Sequence, residues 1–287
     1  MNYANFSLPH LLISTGLLMA SVCTLPARAE TIDCTAITSL PYVIATQGVY
    51  CLTGNLSTSM TSGNAITINT NNVTLDLNGY KLGGLGAGDG TQTNGIYANQ
   101  KKNITIKNGI VRGFYRATYL LDDFPYTNSS GHVITGILAD QNTHVGIQID
   151  GLGNTVSHNT VVDTGGSTVS DIALGITVRG SGAKVVNNTI ATTTAQNTAY
   201  ADGISLTNSD YSLIQNNTIT DTITDTGQSA AIYMASSTGV FLRNNNLAVA
   251  DFGLTFSLSS TGKYFNNLTF DVATPFTGGT AIGSNNN

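Results

Sequence analysis

Charged residues are scarce in this sequence. Only 9% of its 287 residues are Asp, Glu, Lys or Arg, whereas Asn, Thr, Ser and Gly are abundant. A helical protein needs charged exposed faces, but a sheet can cover its surface with Thr, Ser and Asn. The composition therefore favours an all-β protein. A formal charge of −5, with 11 Lys and Arg residues, disfavours nucleic acid or an anionic membrane as the partner.

Hydrophobic runs long enough to cross a membrane are also missing. The apolar run over residues 11–22 is too short to span a bilayer, and Ala27-Arg28-Ala29 follows it as an A-x-A cleavage pattern. No Lys or Arg precedes Leu11, which departs from the usual signal peptide. We predict a cleaved signal peptide over residues 1–29, no membrane span, and a secreted or periplasmic location.

Cysteines are few, and beyond the predicted signal peptide only Cys34 and Cys51 remain. They form no C-x-x-C motif and have no nearby histidine. In an oxidising compartment such a pair predicts a disulfide, worth roughly 3 kcal/mol on the chain-entropy estimate. We expect this disulfide in an N-terminal cap over residues 30–60.

The sequence does contain a repeat of about 29 residues, found seven times. Each block opens with a small residue and a branched apolar one: Ala65-Ile66, Gly95-Ile96, Gly146-Ile147, Gly175-Ile176, Gly203-Ile204, Ala231-Ile232 and Gly253-Leu254. An asparagine follows 13 or 14 residues later: Asn78, Asn108, Asn159, Asn188, Asn217, Asn245 and Asn267. A fixed period of this size indicates stacked units, none of which buries its apolar face alone.

Each block contains three short strands. Apolar and polar residues alternate in Ile204-Ser205-Leu206-Thr207, a second apolar run covers 212–215, and a third begins at 218. Three strands in about 28 residues predict one coil of a right-handed parallel β-helix. We expect about seven coils over residues 61–270, then a cap or flexible tail over 271–287. Each asparagine is expected to adopt the left-handed conformation of a tight corner and to form an amide ladder between coils.

The blocks Asp202-Gly203-Ile204-Ser205-Leu206 and Ile214-Gln215-Asn216-Asn217-Thr218-Ile219 resemble the repeat of the pectin-lyase-like superfamily. The stretch from Asn72 to Tyr80 is similar to the first coil of many exported members. The resemblance covers about residues 60–270 and implies the fold. It leaves the function open, because the superfamily includes lyases, hydrolases, epimerases, phage tailspikes and adhesins.

One step of the repeat is too long. Gly95 and Gly146 are 51 residues apart, one period plus about 22, while Asn108 follows Gly95 on schedule. We therefore predict an inserted loop over 114–134. Its aromatic rings suit sugars and its paired carboxylates suit acid–base work on glycosidic bonds. The loop supplies two catalytic candidates, Asp122 and Asp123, and four for substrate binding: Tyr115, Tyr119, Tyr126 and His132. The alternative is a loop folded back onto the rod as a satellite core.

Stacking the blocks aligns two outward columns. One contains Tyr97, Gln148, Thr177, Ser205, Tyr233 and Thr255, and the other Asn99, Asp150, Arg179, Thr207, Ala235 and Ser257. Asp150 would then lie beside Arg179, with Gln148 and His144 close by. We predict that Asp150 and Arg179 are catalytic and that Tyr97, Gln148 and His144 bind substrate. Arg179 would bind or deprotonate a uronic acid, and Asp150 would hold a cation or act as an acid. The alternative is an exposed ion pair worth under about 1 kcal/mol.

Sequence motifs of the superfamily's enzymes do not decide between a catalytic protein and a non-catalytic structural rod. Polygalacturonase-like hydrolases carry Asn-Thr-Asp, Asp-Asp, Gly-His-Gly and Arg-Ile-Lys on successive coils, and that set is incomplete here. Pectate-lyase-like sites need several acidic calcium ligands, and only Asp150 with Arg179 fits. The four histidines show no metal-ligand spacing, so we predict no metal site and keep Ca²⁺ as the one cofactor under consideration.

The leading hypothesis is an exported, monomeric β-helix that binds or processes polysaccharide along one face, as a lyase or glycosidase. The competing hypothesis is a non-catalytic adhesin or structural rod. A trimeric, tailspike-like subunit is the third.

Overall fold

The computed structural model describes residues 33–257, 259–283 and 286. The predicted signal peptide over 1–29 lies outside these residues. The described chain is all-β, and its single helical element is the 3-10 turn Leu85–Ala87. Within this part of the chain no helix is long and apolar enough to cross a membrane.

Parallel strands stack in three ladders, one strand of each per coil. The first ladder contains β2 (Tyr42–Ile44), β5 (Asn64–Ile68), β8 (Asn94–Asn99), β10 (Arg116–Leu121), β12 (Val145–Asp150), β15 (Ala173–Arg179), β18 (Ala201–Thr207), β21 (Ser229–Ala235) and the second halves of β23 (Asn246–Ser257) and β25 (Leu268–Thr277).

The second ladder faces another side of the rod. It contains β1 (Thr35–Ile37), β3 (Gly48–Leu52), β6 (Val73–Asp76), the first halves of β9 (Ile104–Arg112) and β11 (Val133–Asp140), then β13 (Thr155–Ser157), β16 (Lys184–Val186), β19 (Leu213–Gln215), β22 (Val240–Arg243), β24 (Gly262–Phe265) and β26 (Thr280–Ala281).

The third ladder completes each coil. It contains β4 (Leu56–Ser57), β7 (Lys81–Gly83), the second halves of β9 and β11, then β14 (Thr160–Gly165), β17 (Thr189–Ala195), β20 (Thr218–Thr224) and the first halves of β23 and β25. The chain is thus a right-handed parallel β-helix, as the repeat predicts. Parallel stacking begins before residue 61, with Tyr42 opposite Ile66, and continues past residue 270 in β25.

The branched residues of the openers form the core of the rod. Ile147, Ile176, Ile204 and Ile232 are opposite one another on successive coils, and each is 0% exposed. The preceding residue is small because the next coil is close: a Cβ on Gly175 would lie 2.5 Å from the carbonyl oxygen of Gly203. The small residue of each opener therefore allows close approach of the next coil, and the branched residue packs into the core.

Asn78 and Asn108 have the predicted left-handed backbone, with φ 50° and 56°, whereas from Asn187 onward the corner uses two adjacent asparagines for the two predicted roles. Asn187, Asn216, Asn244 and Asn266 have the left-handed backbone, with φ between 52° and 57°. The ladder is formed by the residues that follow them. Asn188 Oδ1 accepts hydrogen bonds from both the backbone N–H and the Nδ2 of Asn159, each at 3.0 Å. Asn217, Asn245 and Asn267 repeat this arrangement.

The prediction of one inserted loop over 114–134 is wrong. Strand β10 stacks between β8 and β12, so the 51-residue step contains two coils of 22 and 29 residues, with Ala117 and Thr118 at the opener position. Gly136, with φ 64°, is opposite Asn108 and turns the corner without an asparagine. Because both signature residues are replaced, the sequence hides this coil. Residues 122–132 lie between its strands β10 and β11, and the loop over 122–130 ends at Ser130, which bridges to Lys102 and Leu152.

The predicted disulfide between Cys34 and Cys51 is present, with the two Cα atoms 5.8 Å apart. It links the segment before β1 to β3, whose Cys51 is opposite Ala36. The disulfide therefore fastens the first described strand to the rod.

Candidate functional site

The outer face of the first ladder carries a buried carboxyl group. Ile147 and Ile149 point into the core, so the alternating Gln148 and Asp150 point outward. Asp150 is nevertheless 0% exposed and is opposite Arg179, as predicted. Asp150 Oδ2 accepts hydrogen bonds from Gln148 Nε2 at 3.3 Å and from the backbone N–H of Asp122 at 3.4 Å. Oδ1 has no hydrogen-bond partner among the described residues.

Burial sets the proton affinity of this carboxyl group. It raises the pKa of Asp150 to about 7, against the opposing effects of Arg179 and of the two hydrogen bonds. The ion pairs between described residues join Lys107 to Asp76 and Arg112 to Asp140, so Arg179 acts on Asp150 through space. The exposed ion pair of the alternative interpretation is not formed. A carboxyl group with a pKa near 7 suits proton transfer at neutral pH.

A second cation, which the sequence analysis missed, lies on the same face. The guanidinium carbon of Arg116 is 4.8 Å from the ring centre of Tyr115 and 4.5 Å from that of Tyr119. Burial lowers the pKa of Arg116, on which the charges of Asp150 and Arg179 also act. Cation–π contacts of this kind hold a guanidinium group in place.

Aromatic rings continue along the coils on both sides of Arg116. Tyr97 and Tyr119 form an edge-to-face pair with ring centres 5.5 Å apart. Tyr115 and His144 are stacked at 4.5 Å. Burial raises the pKa of Tyr97 and of Tyr119, which keeps their hydroxyl groups protonated at neutral pH. We call Tyr97, Tyr119, Tyr115 and His144 the aromatic stripe.

The two candidate histidines differ in position. His144 belongs to the stripe and donates from Nδ1 to the carbonyl oxygen of Ile172 at 2.9 Å. His132 is 1% exposed and its Nδ1 accepts the backbone N–H of Ile104 at 3.2 Å, inside a corner of the rod. Burial lowers the pKa of both rings to about 4, so both are neutral at pH 7. The structure therefore brings His144, and not His132, to the outer face.

The loop over 122–130 adjoins Asp150 and is organised by Asp122. Asp122 is 1% exposed, and its carboxylate oxygens accept the backbone N–H groups of Asp123, Asn128 and Ser129 at 2.8–2.9 Å. Asp123 is exposed and accepts a hydrogen bond from Gln100. Tyr126 packs edge-to-face on Phe124, which is 74% exposed. Asp122 thus shapes the loop, while Asp123 and Tyr126 lie near its surface.

These residues fit calcium poorly. Asp122 already accepts three backbone N–H groups, and Asp150 has, besides Asp122, the guanidinium groups of Arg116 and Arg179 nearby. Calcium takes six to eight oxygen ligands. Across the described ranges, no three His, Cys, Asp or Glu side chains lie close enough to hold a metal ion. We derive no chemical step through calcium.

A second buried carboxyl group, Asp202, was also missed. It lies on β18 two residues before Ile204, opposite Leu174, and Arg116 has the equivalent position two residues before Thr118. Strict alternation from the inward Ile204 and Thr118 would turn both positions toward the core, so the outward columns of the repeat do not include them.

The fold and this face define the chain as a parallel β-helix with a polar and aromatic outer ladder. No family model and no curated protein matches the sequence. Among solved structures, the chain is similar to the Dettilon tailspike protein, with 14% identity and a TM-score of 0.54 over 88% of this chain and 59% of that one. It is also similar to the enzymatically active domain of bacteriophage CBA120 tailspike protein 2, with 14% identity and a TM-score of 0.50 over 80% of this chain and 38% of that one. This likeness establishes the fold.

Proposed function

We propose that the outer face of the first ladder binds an acidic polysaccharide and that Asp150 transfers a proton in its cleavage. The observation that carries the proposal is the buried Asp150 carboxyl group beside Arg179, with Oδ1 unpartnered within the described chain. Leaving a buried polar atom unpaired costs about 1–3 kcal/mol, which favours a functional reason for it.

The cations of this face favour an acidic sugar. Arg116 and Arg179 act on Asp150 and on each other, and neither belongs to the ion pairs found between described residues. A guanidinium group binds a carboxylate in a bidentate manner. The tyrosines of the aromatic stripe offer flat surfaces for sugar rings and hydroxyl groups for hydrogen bonds. A uronic acid satisfies both requirements.

The number of available carboxyl groups favours elimination over hydrolysis. Hydrolysis uses two carboxyl groups flanking the glycosidic bond. Here Asp122 is held by backbone N–H groups, and Asp123 is exposed and accepts a hydrogen bond from Gln100, which leaves Asp150 as the one carboxyl group available beside the two arginines. In an elimination, ionised Asp150 takes the proton from C5 of the uronate, whose electron pair forms the C4–C5 double bond. The C4–O bond breaks, and the leaving oxygen takes a proton from solvent. Arg116 and Arg179 would stabilise the charge that develops on the uronate carboxylate.

The cellular setting is part of the same proposal. The Cys34–Cys51 disulfide is typical of an oxidising compartment, which supports a secreted or periplasmic protein. We treat the protein as a monomer, and a trimer in sedimentation would favour a tailspike-like assembly instead.

A panel of polyuronates tests the proposal. Elimination gives an unsaturated product with ultraviolet absorbance, whereas hydrolysis releases reducing ends without it. Asp150→Asn should lower turnover by about 10² to 10⁴ while uronate binding remains, and Arg179→Ala should weaken binding. Arg243→Ala is the matched control, because Arg243 is half-buried on the second ladder, bonded to Gln215. Binding without turnover by the unsubstituted protein would favour the non-catalytic rod, and no binding to any uronate would overturn the proposal.

A further inference from the structure

A groove of about 560 Å³ opens on the outer face of the first ladder, over β18, β21 and β23. It begins one coil beyond Arg179 and two beyond Asp150, because Thr207 in its lining is opposite Arg179. Its lining residues are Tyr200, Asp202, Ser205, Thr207, Gln228, Ser229, Ala230, Tyr233, Ala235, Phe252, Thr255 and Ser257. Coils stacked about 4.8 Å apart make the groove continuous with the Asp150 site.

The groove holds polar atoms that the fold leaves unpaired. Asp202 is 3% exposed and bonds to the hydroxyl group of Ser205, but its Oδ2 has no partner in the described part of the chain. Burial raises the pKa of Asp202 to about 7. The Oγ1 of Thr255, on the same wall, is likewise without a partner there. Neither atom stabilises the fold through a hydrogen bond that the described residues provide.

Rings and hydroxyl groups surround these atoms. Tyr200, which is 47% exposed, forms the rim with Tyr233 and Phe252, and five serine and threonine side chains line the groove. No Lys, Arg or His side chain lines it. A ligand here meets aromatic surface, hydrogen-bonding groups and one carboxyl group, and the nearest cation, Arg179, lies outside the lining on the adjacent coil. This chemistry selects an uncharged molecule rich in hydroxyl groups.

We propose that this groove is a second binding subsite, which takes an uncharged sugar unit through Asp202, Thr255 and the rings of Tyr200 and Tyr233. The inference rests on the proposed function insofar as the ligand is a carbohydrate, and it adds that the polysaccharide contains neutral as well as acidic units. An acidic unit lies at Arg116 and Arg179, and a neutral unit lies in the groove. Sugar hydroxyl groups donate to Asp202 Oδ2, and the rings stack on the sugar faces.

Calorimetric titration with two sets of probes tests this assignment. The first set is neutral hexasaccharides of glucose, mannose and galactose units, and the second is hexasaccharides of galacturonate, mannuronate and glucuronate. We expect Asp202→Ala and Tyr233→Ala each to weaken binding of a neutral probe by at least about tenfold. Arg179→Ala should change it by less than about twofold. Tyr211→Ala is the control for Tyr233→Ala, because Tyr211 is 76% exposed on a corner away from the groove. Asp202→Asn conserves the shape of the side chain, so it provides the test if Asp202→Ala does not fold.

The outcomes separate the two proposals. If neutral probes do not bind, or bind equally to the Asp202 and Tyr233 variants, while uronates bind through Arg179, the groove assignment is overturned and the proposed function stands. If neutral probes bind through Asp202 and Tyr233 and no uronate binds, the groove assignment stands alone. If neither set binds, both are overturned.

Discussion

Asp150 and Asp202 are buried carboxyl groups on one face of the rod, and each has an oxygen unpaired within the described residues. Burial raises the pKa of each from 3.8 to about 7. In the unfolded chain both ionise near pH 4, whereas in the folded chain both keep their protons until about pH 7. Stability therefore falls as pH rises from about 4 to about 7 and remains lower above that range.

Removing one of these charges should raise stability at alkaline pH. We expect Asp202→Asn to melt at a higher temperature than the unsubstituted protein at pH 8 and at a similar temperature at pH 4. Three pKa units correspond to about 4 kcal/mol as an upper limit. Thermal unfolding across this pH range measures the effect, and the exposed Asp123→Asn is the control. A parallel pH profile for Asp202→Asn and the unsubstituted protein would contradict the account.

The same property of Asp150 predicts the pH dependence of catalysis. As the base of an elimination, Asp150 must be ionised, so kcat/KM should rise about tenfold per pH unit below about pH 7 and level off above it. Asp150→Asn should lower kcat by about 10² to 10⁴ and remove this rise. Initial rates from pH 5 to pH 9 on a cleaved polyuronate provide the test. A profile that falls through pH 7 would instead assign Asp150 the role of an acid.

At the scale of the elements, the buried asparagine ladder fixes the corner between the second and third ladders. Asn188 is 1% exposed, accepts two hydrogen bonds from Asn159, and donates to Val156 O and to Asn217 Oδ1. Asn188→Ala leaves these groups unpaired and should lower the free energy of unfolding by about 2–4 kcal/mol. Asn246, exposed at the start of β23, is the control. Denaturant unfolding with equal losses for both alanine variants would mean that the ladder does not stabilise the rod.

Strand β10 belongs to the coil that lacks both signature residues of the repeat, and its packing can be tested through Thr118. Thr118 is opposite the core residues Ile96 and Ile147, is 0% exposed, and its Oγ1 has no partner among described residues. Thr118→Val removes an unpaired hydroxyl group at nearly constant shape and should stabilise the protein by about 1–2 kcal/mol. Exposed Thr189→Val should change stability by less than about 0.5 kcal/mol. If Thr118→Val destabilises the protein in denaturant unfolding, β10 does not pack as described.

For the whole molecule, the features that recur with the repeat could be predicted from the sequence. The inward isoleucines and the small residues before them recur on every regular coil, so fold, register and the pairing of Asp150 with Arg179 could be deduced by counting. Periodicity could not reveal the coil that lacks both signature residues. It also could not reveal the burial of Asp150, because that depends on Arg116, Tyr119 and the loop after β10 folding over one face.

The aromatic residues of the predicted insertion over 114–134 show the same limit of prediction from periodicity. The sequence placed Phe114, Tyr115, Tyr119 and Tyr126 together in one insertion. In the structure Phe114 enters the core, Tyr115 and Tyr119 flank Arg116, and Tyr126 lies in the loop that follows. Strand alternation in β10 decides which aromatic ring faces a ligand, and the repeat does not identify β10 as a strand.

The proposed chemistry depends on binding of an acidic sugar to the outer face of the first ladder beside Asp150. A crystal structure of the Asp150→Asn protein with a bound oligouronate tests it most directly. We expect a uronate carboxylate hydrogen-bonded to Arg179 or Arg116 and a sugar ring against Tyr97 or Tyr119. An oligouronate bound to the second or third ladder, or bound on this face with its carboxylates turned away from both arginines, would contradict it.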